Sequence, residues 1–196
     1  MTDLVYPPGP VPVYPRPSHD NPGPFPFPGG EMLPLIEPSG LVCGKAPREW
    51  CHSGSKLLHP VVHLHLIDRN SNIYLQRRSS SKDLYPGFWD TAVGGHVCFG
   101  ETAEDALFRE AEEELGLGTF NPVRLETYIW ESGKEKEYVF VYASVGHPEL
   151  FPDIAEISEG KWFAVEEIEK MLGRKVLTPN YEHEFRKIRE RLLSML

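Results

Sequence analysis

Between Gly95 and Leu117 the chain reads GHVCFGETAEDALFREAEEELGL, and three of its glutamates stand where a solvated helix has no use for them. Thr102, followed three residues later by Asp105, predicts a helix start of the capping-box kind. Ala103, Ala106, Leu107 and Ala111 then recur at helical spacing and define one apolar face. At about 100° per residue, Glu110 and Glu114 fall inside that face, with Glu113 beside them. Charge runs are ordinarily solvated faces, but that explanation puts the carboxylates on the opposite side. Burying them unpaired is costly. A hard divalent cation with oxygen ligands is the natural partner, and the expected ion is Mg²⁺, with Mn²⁺ as the alternative. The chemistry that follows is attack of water on a phosphoanhydride, with a carboxylate taking the proton.

Gly95, Glu101, Arg109, Glu110, Ala111, Glu113, Glu114, Gly116 and Leu117 have the types and spacing of the Nudix box, which this stretch resembles at every fixed acidic, basic and glycine position. Ala111 is smaller than the aliphatic residue usual there. The resemblance implies an α/β fold, an α/β/α sandwich with a mixed central sheet. It also implies hydrolysis of a pyrophosphate bond in a nucleoside diphosphate linked to another moiety. It makes Glu113 and Glu114 the main metal ligands, with Glu110 and the backbone carbonyl at Gly94. It pairs Arg109 with Glu101, holding the loop on the helix. The general base is Glu110 or a loop carboxylate such as Glu156 or Glu159, and the sequence does not choose between them.

The resemblance runs from about Glu31 to the C-terminus and looks closest to the branch related to isopentenyl-diphosphate isomerase. His52 and His59 have the seven-residue spacing of two isomerase histidines. Gly95-His96-Val97 stands where the isomerase has Gly-His-Pro, and Glu135-Lys136-Glu137 where it has Glu-x-Glu. These positions imply a second cation site built on His52, His59, His96, Glu135 and Glu137. The competing reading makes the first two histidines polar turn residues. The isomerase's catalytic cysteine stands just before its Gly-His pair, and this chain has Gly94 there. The isomerase also lacks the full Arg-Glu and Glu-Glu set kept here. Hydrolase chemistry on an isomerase-like scaffold is therefore the expectation, and isopentenyl-diphosphate isomerase the alternative. His63 and His65 alternate on one predicted strand and read as packed or surface residues.

The elements that must position these groups are short strands around one helix. Strands are predicted on either side of a Pro38-Ser39-Gly40 turn, at 61–68, 72–78, 89–93, 123–130, 137–144 and 161–164. The box helix runs to about Leu115, and helices follow at 165–172 and 180–193. A chain of 196 residues is long enough for one domain with a sizeable core. Ten of its 19 prolines lie in the first 30 residues, so residues 1–30 are expected to be a loose tail and 31–196 the hydrolase domain. The net charge of −9 argues against nucleic acid and anionic membranes as partners. A small diphosphate is expected instead, bound by a monomer or homodimer. Cys43, Cys51 and Cys98 form no CxxC pair, no apolar run approaches a membrane span, and the N-terminus does not read as a signal peptide. Together these predict a cytoplasmic protein.

Overall fold

The computed structural model describes residues 3–14, 30–82 and 84–196. In chain order the elements are β1 (Met32–Ile36), β2 (Val42–Pro47), α1 (Arg48–Cys51), β3 (Leu58–Ile67), β4 (Asn72–Arg78), β5 (Trp89–Asp90), β6 (Val93–His96), α2 (Ala103–Leu115), β7 (Val123–Glu131), β8 (Lys136–Val145), β9 (Ile157–Ala164), α3 (Val165–Met171) and α4 (Pro179–Leu193). β1 and β2 pair by themselves. The other seven strands form a mixed sheet with the order β5-β4-β3-β8-β7, in which β6 also pairs with β3 and β9 with β4. This is the expected α/β class. The chain divides into two compact units: Met1–Val62 with His96–Ala106 and Thr127–Phe140, and His63–Gly95 with Leu107–Glu126 and Val141–Leu196.

In the first unit, β1 and β2 run antiparallel from Met32↔Pro47 to Ile36↔Val42, with an irregularity at Leu35/Ile36. Leu33, Leu35, Ala46 and Cys51 form their buried cluster. The proline-rich beginning differs from the expected loose tail over residues 3–14. Val5 bridges Leu41 and Val13 bridges Lys45, both parallel to β2. The Val5 amide donates to Gly40 O (3.0 Å), the Val42 amide to Val5 O (2.8 Å) and the Tyr14 amide to Lys45 O (2.8 Å). Proline removes a donor but keeps an acceptor and an extended φ, so it is tolerated beside a sheet edge. The residues that donate here, Val5 and Tyr14, are not prolines. The Tyr14 ring packs on the β1–β2 cluster and crosses Gly44, where a Cβ would lie 2.9 Å from Tyr14 Cε2. The remainder of the proline-rich stretch, 15–29, lies outside the described residues.

In the second unit, β3 and β4 form the predicted hairpin, paired at Leu66↔Tyr74 and Ile67↔Ile73. Asp68 Oδ1 accepts from the amides of Asn70 (2.8 Å) and Asn72 (2.9 Å) and shapes its turn. β4 pairs with both β5 and β9, so Gln76 faces Asp90 on one side and Gly160 on the other. β9 begins four residues before its predicted start because Ser158, Glu159 and Gly160 carry no apolar alternation. Its pairing with β4 defines it instead, and the Tyr74 hydroxyl crosses the strand where a Cβ at Gly160 would lie 1.7 Å away. The segment read as a single strand at 89–93 is β5 and the start of β6. The short α1 was not predicted.

The packing of Tyr14 sets a first expectation. Tyr14→Ala uncovers part of the β1–β2 cluster and should lower stability by about 1 kcal/mol. A thermal melt should register this as a fall of roughly 2 to 4 °C for a chain of this size. An unchanged melting temperature would mean that the first 14 residues do not pack.

Candidate active site

The box helix starts as its sequence requires. Thr102 Oγ1 accepts from the Asp105 amide (3.1 Å), and Asp105 Oδ2 accepts in return from the Thr102 amide (3.3 Å). Ala106, Leu107, Ala111 and Leu115 are fully buried and hold the helix by its apolar face. That face carries Glu114 inward, to 7% exposure. Glu110 is half-buried and Glu113 exposed. Both Glu110 and Glu114 were expected inside this face; Glu114 is the more buried of the two.

Glu114 Oε2 accepts from Gln76 Nε2 (3.2 Å) and weakly from the Gly94 amide (3.4 Å). These contacts do not offset its surroundings. Burial first, and then the charge of Glu110, push its carboxyl up to about 8, although Lys82 acts in the opposite direction. Arg109 Nη1 donates to Glu110 Oε1 (2.8 Å) and Glu113 Oε2 (3.2 Å). A Cβ at Gly95 would lie 2.0 Å from Glu110 Cδ, so a side chain there would displace the Glu110 carboxylate. The second unit thus brings Gly94, Gly95, Arg109, Glu110, Glu113 and Glu114 together. A buried carboxylate beside a second one, with only weak neutral donors, is the environment a hard divalent cation neutralises.

The two loop carboxylates are already occupied. Glu156 is bonded to Lys82, and Glu159 lies 3.5 Å from Arg77. Two participants escaped the reading of the sequence. Gln76, within a buried run of β4, supplies Glu114 with a donor. Glu184 on α4 is fully buried and accepts from His63 Nδ1 (2.9 Å) and His65 Nε2 (2.5 Å). The alternation His63-Leu64-His65 was a signal of shared facing, but their partner lies 119 residues downstream of His65. Burial raises the Glu184 carboxyl, and the two histidines outweigh it, so Glu184 titrates below the ordinary carboxyl range. A Cβ at Gly94 would sit in ordinary contact with His63, 3.5 Å from its Cδ2. Gly94 is therefore not sterically required.

The first unit holds the histidines. Ligand nitrogens of His52, His59 and His96 all lie within 4.8 Å of one another. His59 Nδ1 donates to Leu57 O (2.9 Å), which leaves its Nε2 as a lone pair, buried and without a protein partner. Burial pushes His59 down to about 4, so it is neutral at pH 7. His52 Nδ1 lies 2.7 Å from Glu135 Oε2. Its Nε2 then faces His96 Nε2 at 2.9 Å. Two imidazole nitrogens this close need a proton or a cation between them. An orphaned buried nitrogen and two converging imidazoles fit a cation, and the carboxylate and carbonyl behind them orient the rings. Glu135 lies on the Nδ1 side of His52, behind its ring. Glu137 is buried on β8. Glu101 Oε2 accepts from the Cys98 amide (2.9 Å) and closes the loop before α2.

The sequence matches the family model of the NUDIX domain over residues 57–183. It is 28% identical over 148 residues to an isopentenyl-diphosphate Δ-isomerase of Brevibacterium linens, covering 72% of this chain and 81% of that protein. It is 29% identical over 152 residues to an uncharacterised Nudix hydrolase of Streptomyces coelicolor, covering 76% and 83%. A crystal structure of a Deinococcus radiodurans protein superposes with a TM-score of 0.70 at 25% identity, covering 80% of this chain and 98% of that one.

Two stability measurements test this electrostatic picture. Protonated Glu114 favours the folded state below its ordinary value of 4.5, and that contribution is lost as the pH rises through about 8. Glu114→Gln is neutral throughout, so it should raise the metal-free melting temperature at pH 8 by roughly 2 to 4 °C, the effect of about 1 kcal/mol. A lower melting temperature would mean that Glu114 is already compensated. Glu184 works in the opposite sense. Its depressed value adds stability above 4.5 that is lost as the pH falls below it. Glu184→Gln should cost about 2 to 3 kcal/mol near pH 7 and flatten the acid limb of the stability curve. An acid limb unchanged in slope would contradict the assignment.

Proposed function

The chain belongs to the NUDIX family, and from that premise we propose that it hydrolyses the pyrophosphate bond of a nucleoside diphosphate linked to another moiety, with Mg²⁺ as its cofactor and Mn²⁺ as a substitute. The observation that carries this reading is Glu114, buried on the apolar face of α2 beside Glu110 in a complete box. Glu110, Glu113, Glu114 and the carbonyl of Gly94 would hold the ion. When bound, it neutralises phosphate oxygens and makes the phosphorus open to attack. Arg109 orients Glu110 and Glu113 through one guanidinium nitrogen. Glu110 is the base we favour, because it stands beside the buried Glu114 carboxylate on α2; Glu156 and Glu159 are the alternatives. Glu110 takes the proton of the attacking water, and Arg77, Arg78 and Lys82 are the basic residues that would meet the diphosphate. Glu101 belongs to this machinery as the residue that closes the loop entering α2.

The substrate we infer is small, and the oligomeric state monomer or homodimer. No described helix is long and apolar enough to cross a membrane. All three cysteines are free, which supports a reducing compartment such as the cytoplasm.

A second reading, isopentenyl-diphosphate isomerase, is favoured by the convergence of His52, His59 and His96 with Glu135 behind them and Glu137 on the neighbouring strand. We propose that these residues hold a second divalent cation, of a kind that accepts imidazole ligands. Isomerisation also needs a proton donor and acceptor at the allylic carbon, and the glycine at 94 transfers no proton.

A panel of diphosphate compounds, assayed with Mg²⁺ or Mn²⁺ by phosphate release after phosphatase coupling, should identify at least one substrate. Activity should stop with EDTA and return with excess Mg²⁺. Glu114→Gln should lose at least roughly 100-fold in kcat/KM. Hydrolysis by this variant at the wild-type rate at limiting Mg²⁺ would end the assignment. Incubation with isopentenyl diphosphate in deuterated water should leave the substrate unlabelled, and deuterium entering at an enzymatic rate would promote the isomerase reading.

A further inference from the structure

The proline-rich segment does more than cover β1 and β2. Its Tyr6 reaches the loop that leads into the box helix, 95 residues downstream. The Tyr6 hydroxyl accepts from the Gly100 amide at 2.9 Å and faces the Glu101 carbonyl, to which it donates at 3.4 Å. The Tyr6 ring stands edge-on to Phe99 (5.6 Å between centroids, 83° between planes). Lys45 lies over the same Phe99 ring at 4.5 Å. The segment carrying Tyr6 is itself anchored on both sides, at Val5 to Gly40 and Val42, and further on at Pro12 and Tyr14 to Lys45.

The loop needs such a hold. α2 is fixed by its own buried face, but residues 98–101 precede that face. Their backbone ties include Phe99 N to Met32 O (2.8 Å), the internal bond from Glu101 N to Cys98 O (3.0 Å) and Cys98 N to Glu101 Oε2 (2.9 Å). Gly100 has a φ of +99°, so the turn depends on a glycine whose amide is directed at Tyr6. The Tyr6 hydroxyl spans the two peptide groups that orient Glu101, and Glu101 is followed at once by Thr102, the cap of α2. A hydroxyl that accepts from one residue and donates to the next restrains a turn in two directions, as packing on Phe99 alone does not.

We propose that residues 3–14 are a strap on the loop that enters α2 and that Tyr6 is a positioning residue, holding the Gly100–Glu101 turn so that Glu101 and the start of α2 keep their working geometry. Only the activity arm of the test rests on the hydrolase reading. Tyr6→Phe keeps the ring on Phe99 and removes the hydroxyl. It should leave the melting temperature nearly unchanged and speed exchange of the Gly100 amide by roughly ten-fold. It should lower kcat roughly five-fold with KM little altered, because misplaced catalytic geometry slows the chemical step more than it weakens binding. Tyr6→Ala should reproduce both effects and add a loss of stability.

Unchanged Gly100 exchange in Tyr6→Phe would overturn the proposal, since the hydroxyl would then hold nothing. Faster exchange at an unaltered kcat would also overturn it, by making the contact architectural only. Failure of the wild-type chain to cleave any diphosphate would instead count against the hydrolase reading. The strap would then stand or fall on the exchange measurement alone.

Discussion

The burial of Glu114 is the constraint on which the second unit depends. A carboxylate at 7% exposure, next to the charge of Glu110, is a standing cost in a protein interior. Several features of the chain are arranged around that cost. Gln76 is polar within a buried stretch of β4 and donates to Glu114. Gly95 lacks the side chain that would collide with Glu110. Arg109 spends one guanidinium nitrogen on the two outer carboxylates. In the reading proposed above, the inner group is the one a cation would neutralise.

Polar residues are buried elsewhere in this protein on different terms. Glu184 is as buried as Glu114, yet its carboxyl is driven down rather than up, because His63 and His65 both donate to it. The three histidines of the first unit solve the problem in a third way. His59 is held from behind by a carbonyl oxygen through Nδ1, so that its Nε2 presents a lone pair, and His52 has the Glu135 carboxylate on its Nδ1 side. Three buried polar groups thus separate by what stands opposite them: a charge of the same sign, two imidazole donors, or converging lone pairs. The first and third invite a metal, and the second is complete in itself.

The family contains relatives named as isomerases and others named as hydrolases, and this chain carries marks of both. Its histidine cluster is assembled, and its glutamate box is complete. Gly94 is the residue at which the two chemistries part. A Cβ there would meet only ordinary contacts with His63 and Thr91, so space does not impose the glycine. Its consequence is chemical: no side chain at 94 transfers a proton, whereas the carboxylates of α2 remain for water.

The helical period of residues 103–115 put Glu110 and Glu114 on the apolar face from sequence alone, with Glu113 beside them, because angular position on a helix is a local property; that Glu114 is the more buried of the two was decided by the structure. The hairpin of β3 and β4, the capped start of α2 and the helices at the C-terminus were legible for the same reason, since their spacing is written in neighbouring residues. Where pairing is non-local, the sequence was silent or misleading. The polar start of β9 has no apolar alternation and is a strand only because β4 lies beside it. Glu184 has no meaning without the two histidines far upstream. The proline-rich beginning looked loose because its composition suits no helix or regular ladder. Only the tertiary structure decided that residues 3–14 lie along β2, since an extended segment needs no pattern of its own when another strand supplies the hydrogen-bonding partners.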